Sequence, residues 1–119
     1  MAAPNIVNIA TLTAKTAVLA VTTTPTDIVS NAGSSGTAVK INTLSIANIN
    51  GTAAATVNVS IFRSSVEYKL AHVISVPAGA TLVTVDKTNS IYLEEGDSLR
   101  VTGSINSYLH AVCSYEILA

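Results

Sequence analysis

The chain has 119 residues, a formal net charge of −1, 49% apolar side chains and only 11% charged ones. A soluble domain ordinarily carries about a quarter charged residues, so this surface must be built mostly from hydroxyls, amides and methyl groups, which suits lasting contact with neighbours better than chemistry. Three things are excluded: a phosphate-binding patch, because the six basic residues are scattered singly; an intrachain disulfide, because Cys113 stands alone; and a membrane span in the apolar run at residues 17–21, which is far too short.

One domain is expected from the length, and it is expected to be all-β. Val and Ile number 25 against 9 Leu, and β-branched side chains favour a pleated backbone because their χ1 is already restricted. In chain order, residues 1–12 are expected as an N-terminal arm that orders against a neighbour, with the folded domain over 13–119. Residues 6–12, 15–22 and 27–30 read as strands, bounded by Pro25 and by the Gly/Ser-rich stretch 31–36. In residues 39–49 the apolar phase slips: Val39 and Ile41 share one parity, Leu44 and Ile46 the other. A β-bulge near Asn42-Thr43 restores the facing.

Asn50-Gly51 is the strongest short hairpin signal in the chain, since both residues tolerate positive φ. Val57, Val59 and Ile61 then alternate with polar residues. The clearest period-2 pattern follows, with Val66, Tyr68, Leu70, His72, Ile74 and Val76 on one face, predicting a half-buried strand. Pro77-Ala78-Gly79 is a turn, 81–85 a short strand, 86–90 another turn, and 91–93, 99–102 and 109–117 complete the set. Eight or nine short strands at this spacing predict a single-domain antiparallel β-sandwich of jelly-roll type.

The last strand carries apolar residues on both faces. Leu109, Ala111, Cys113, Tyr115 and Ile117 form one; His110, Val112 and Leu118 form the other. Either a loop folds over this strand or it makes a subunit contact, and the candidate interface is Leu109, Ala111, Val112, Tyr115, Ile117 and Leu118.

Chemistry finds little support. Glu94-Glu95-Gly96-Asp97 is the one acidic cluster, too small for the six to eight oxygens Ca²⁺ wants, so a solvated turn is expected and no metal. His72 and His110 lie on separate strands without ligand spacing, and His72, in phase with apolar neighbours, is expected in the core or at an interface. Cys113 reads as a small buried hydrophobe. No nucleophile elbow occurs, and Gly33-Ser34-Ser35-Gly36 lacks the Lys of a phosphate loop. Four tyrosines without Trp point to packing before a glycan platform. No enzyme activity, cofactor, nucleic acid or membrane partner is expected.

Three segments carry a resemblance: Val76-Pro77-Ala78-Gly79-Ala80-Thr81-Leu82, then Ile91-Tyr92-Leu93-Glu94-Glu95-Gly96-Asp97-Ser98-Leu99-Arg100-Val101, and the ending Ala111-Val112-Cys113-Ser114-Tyr115-Glu116-Ile117-Leu118. With them the chain, from about Lys40 onward, resembles small virion structural proteins of tailed bacteriophages of the marine and cyanobacterial type. The resemblance implies a β-sandwich that coats or links other virion proteins, assembled in the host cytoplasm, and transfers no catalytic residue. A capsid decoration or cement protein, trimeric and bound to the major capsid protein, is the expected role. A neck, tail or fibre component is the alternative, and a glycan-binding adhesion module a third.

Overall fold

The computed structural model describes residues 10–119. It contains nine strands: β1 Leu12–Ala20, β2 Thr26–Ser30, β3 Ala38–Asn48, β4 Ala55–Arg63, β5 Val66–Val76, β6 Thr81–Val85, β7 Ile91–Leu93, β8 Ser98–Gly103 and β9 Leu109–Leu118. They form two antiparallel sheets. One, which we call sheet A, runs β1-β9-β3-β6, with β7 also pairing β3; the other, sheet B, runs β2-β8-β4-β5.

The pairing is nested. β4 pairs with β5, β3 with β6 and β7, β2 with β8, and β1 with β9, so the chain is one long hairpin bent at Ser64-Ser65 and rolled into two facing sheets. That is the jelly-roll path, as the strand spacing predicts. β6 and β7 occupy one strand position in two pieces, on residues 44–47 and 39–41 of β3 respectively.

The core lies between the sheets. From sheet A come Ile41, Leu44, Ile46, Val85, Leu93, Leu109, Ala111 and Cys113; from sheet B come Val57, Val59, Val76, Leu99 and Val101, all buried. The bulge expected near Asn42-Thr43 is present: the β3–β9 register shifts between Ile41 and Thr43, which turns Val39, Ile41, Leu44 and Ile46 all inward.

Three expectations need correction. Asn50-Gly51 does not close a hairpin, because β3 and β4 lie in different sheets; Asn50 Oδ1 instead accepts bonds from the Thr52 and Ala53 amides, shaping a crossover between sheets. The true hairpin turns on Ser64 and Ser65, both at positive φ (52° and 63°), with Arg63 opposite Val66. It is a two-residue turn with φ positive at both central positions, as in type I′, made without Asn or Gly.

The alternation in β5 also breaks. Its register against β4 shifts twice, so Leu70 and one of His72 and Val73 are extra residues, and Ala71 takes the core position. Val66, Tyr68, Leu70, Val73 and Ile74 are exposed, and so is His72. β5 is an edge strand, and its bulges carry side chains off the core. Finally, residues 10 and 11 belong to the sandwich, since the Ala10 and Thr11 amides bond to the Ala119 carbonyl at 2.8 and 3.0 Å. The remainder of the expected arm and of the strand at residues 6–12 lies outside the described residues.

Candidate assembly surfaces

The candidate interface on β9 is divided by the pleat. Leu109, Ala111 and Leu118 are buried within the chain, and Tyr115 and Ile117 pack against the core, so these five offer no open apolar face to a partner. Only Val112, 41% exposed, stands on the outside. The sequence could show that β9 is apolar on both sides; which side the second sheet covers depends on a partner that alternation along one strand does not reveal.

Val112 belongs to a row that crosses sheet A. It lies opposite Val18 on β1 and Ser45 on β3, and Ser45 lies opposite Val83 on β6. Val18 and Val83 are 75% and 55% exposed. The flanking rows are Ala20, His110, Ala47 and Thr81 on one side, and Thr16, Ser114 and Thr43 on the other. This half of the outer face carries no formal charge. Lys40 and Glu116, the charged pair of the face, oppose each other in the far half, where Asn42 Nδ2 donates to Glu116 Oε1 at 3.1 Å. A shallow groove follows Val18, Leu19, Ala20 and His110, Ala111, Val112 where β1 meets β9.

Sheet B turns a different surface outward. Arg100 Nε donates to Asp27 Oδ1 at 2.7 Å, and its guanidinium lies 3.6 Å above the Phe62 ring, a cation–π stack. Ser60 Oγ donates to Glu67 Oε1 at 2.9 Å, the main reason the Glu67 carboxyl is held below the usual range, with Lys69 and Arg100 adding their positive charge. Charges laced to one another in this way suit contact with water. The two sheets therefore differ in kind away from the β5 edge, where Val66, Tyr68, Leu70, Val73 and Ile74 are exposed: the outer side of β2, β8 and β4 carries charges satisfied among themselves and by β5, whereas the outer half-face of sheet A is methyl- and hydroxyl-rich.

The acidic turn is not solvated throughout. Gly96, at φ +88°, supplies a conformation L side chains rarely adopt, and the bend tucks Asp97 to 2% exposure. There Arg63 grips it with two bonds, Nε to Oδ1 at 2.7 Å and Nη2 to Oδ2 at 2.5 Å, while the Glu94 amide donates to Oδ2. These bonds, led by Arg63, hold the Asp97 carboxyl below its ordinary range against the opposing effect of burial, and the same pairing raises Arg63 further above its already high value. Glu95 caps the Gly36 amide at 3.1 Å. The acids are committed to protein donors, and among the described residues no three His, Cys, Asp or Glu side chains gather as a metal site.

Buried amides finish the ends of the sandwich. Asn31 donates to the Thr37 and Leu93 carbonyls and accepts from the Ser35 and Thr37 hydroxyls. Asn48 donates to the Ala53 and Val76 carbonyls. Neither role shows in the sequence, where Asn31 opens the Gly/Ser-rich stretch and Asn48 falls within the strand expected at residues 39–49; their partners lie up to 62 positions away. Among the described residues every buried side-chain N and O is paired.

The remaining candidates disperse. His72 and His110 are exposed on different sheets, so His72 is not a core residue. Cys113 is buried, and desolvation pushes its thiol up to about 12. Tyr68 and Tyr92 are exposed but on opposite sheets, and Tyr108 and Tyr115 pack against the core, so no aromatic platform forms. No protein-family model matches the chain, and no curated protein matches it.

Proposed function

We propose that this chain is a structural protein of a bacteriophage virion, a capsid decoration or cement protein that coats and stabilises the head by laying the outer face of sheet A on its neighbours. The observation that carries the reading is the asymmetry of the two faces. Interface centres are depleted in charge, and the Val18–Val112–Ser45–Val83 half-face has none, whereas sheet B spends Arg100, Asp27, Glu67 and Lys69 on a solvated network. The resemblance to phage virion proteins supplies the setting. The reading assigns no reaction to the chain, and its partners are copies of itself and other virion proteins such as the major capsid protein.

Size supports a many-copy role. Four strands about 4.8 Å apart, with about five residues of roughly 3.3 Å each, give the uncharged half-face an area on the order of 300 Å². A stable binary interface buries about 800 Å² per partner. One such face is too small to hold alone, but repeated contacts within a shell gain strength from effective concentration.

The test is incorporation. Val112→Asp and Val83→Asp should leave the melting temperature nearly unchanged, because both positions are exposed, yet remove the protein from assembled particles. A map of the particle should place the chain on the head with sheet A against the shell. Density in the neck, tail or fibre would favour the alternative station, and particles without the protein would overturn the virion role.

A further inference from the structure

The edges of the two sheets are not equally protected. Exposed edges invite pairing with other chains, and proteins blunt them with bulges, short strands or charges. β5 carries two bulges and the Glu67–Lys69 pair. β2 is five residues long with a bulge at Ile28. The β6 and β7 side is interrupted between Val85 and Ile91. β1 differs: it runs nine residues in unbroken register with β9, from Leu12 opposite Leu118 to Ala20 opposite His110. Among the described residues nothing pairs with its other side.

From this we infer that two copies of the chain join through β1, antiparallel about a two-fold axis at Thr16, to form one continuous ten-stranded sheet. The backbone fixes which groups are available. Thr11 and Ala119 exchange both main-chain bonds, at 3.0 and 3.1 Å, and the Val21 amide bonds to the Leu109 carbonyl. The odd residues of β1 therefore face β9, and the N–H and C=O of Leu12, Ala14, Thr16, Val18 and Ala20 face outward along the edge that no described residue pairs.

An antiparallel copy centred on Thr16 matches all five: Leu12 with Ala20, Ala14 with Val18, and Thr16 with itself. That makes about ten inter-chain hydrogen bonds. The single charge of the strand selects among registers. Centring on Lys15 would set it against its own copy, which is unfavourable, whereas centring on Thr16 sets it opposite Ala17. Val18, the most exposed large apolar side chain among the described residues, gains a lateral neighbour. Because the axis is perpendicular to the sheet, both uncharged half-faces point the same way and their combined area doubles toward what a stable contact needs.

This inference rests on the self-association in the proposed function and not on the virion setting, and its test separates the two. Light scattering of the purified full chain at about 50 μM should give twice the chain mass. Thr16→Pro removes an outward amide without touching a β9 bond, since proline is tolerated on the free side of an edge strand; it should give a monomer of unchanged circular dichroism. Thr16→Lys and Thr16→Glu should each be monomeric through like-charge contact at the axis, and an equimolar mixture should restore the dimer. If Thr16→Pro does not fold, the charge pair decides alone. A wild-type dimer or trimer that all three variants leave intact overturns the β1 contact while self-association stands. A wild-type monomer overturns both.

Discussion

Replacing Asp97 by Asn separates the charge of the acidic turn from its shape. Asn keeps the volume and a carbonyl oxygen for the Glu94 amide, but Arg63 loses the ionised partner to which it makes two bonds of 2.5 and 2.7 Å. Unit charges about 4 Å apart at an effective dielectric near 20 attract by about 4 kcal/mol. Arg63 is 47% exposed, so water screens part of this and desolvation of Asp97 takes more; a loss of about 2 kcal/mol remains. For a domain of this size that lowers Tm by about 8 °C. Glu94→Gln removes the outer partner of the same Arg, 68% exposed, and should cost about 0.5 kcal/mol or less.

The pH dependence identifies the cause. The folded-state pKa of Asp97 is depressed, so its contribution is fully present above the unfolded value of about 3.9 and is lost as pH falls below it toward the folded value. Calorimetry of wild type and Asp97→Asn from pH 7 to pH 3 should show a constant Tm gap down to about pH 4.5 and a narrowing gap below. A gap unchanged to pH 3, or equal losses in Asp97→Asn and Glu94→Gln, would refute the ion pair as the source.

Other outcomes follow from the same packing. Val73 sits at φ +50° while 54% exposed, its amide held by Asn58 Oδ1 at 2.9 Å; a β-branched residue is disfavoured there, so Val73→Asn should raise stability by about 0.5–1 kcal/mol in a urea titration, and a loss would argue against strain. Leu44→Ala, at a fully buried position between the sheets, should cost about 3 kcal/mol. Cys113 should resist a thiol reagent such as Ellman's at pH 8 in the native state and react at once in guanidinium, since its thiol is buried with a pKa pushed up to about 12. Added Ca²⁺ or chelator should leave Tm unchanged, because Arg63 and the Glu94 amide already occupy the Asp97 oxygens.

Strand positions were legible because each depends on neighbours in sequence. The β-branched content, the turn residues and the parity slip at Asn42 all report local backbone preference, and a bulge corrects the same facing error that the slip reveals. Eight or nine strands and a sandwich of jelly-roll type follow from spacing; the count of nine and the strand path come from the structure. Alternation in β5 misled for the converse reason: Tyr68, Leu70 and His72 are in phase, but two extra residues on an edge strand cost little there, and Ala71 became the core contact.

What the residues could not disclose is anything set by partners distant in sequence. The apolar content of β9 was plain, yet only the sandwich decides that Leu109 and Ala111 face sheet B while Val112 faces out beside Val18, 94 positions away. The acidic turn was visible, but Arg63 reaches it from the end of β4, on the adjoining hairpin, and that turned an expected solvated bend into an ion pair between a buried carboxylate and a half-exposed guanidinium. Local preference is written along the chain. Facing, pairing and burial are properties of two strands at once, and they exist only after the long hairpin has rolled up.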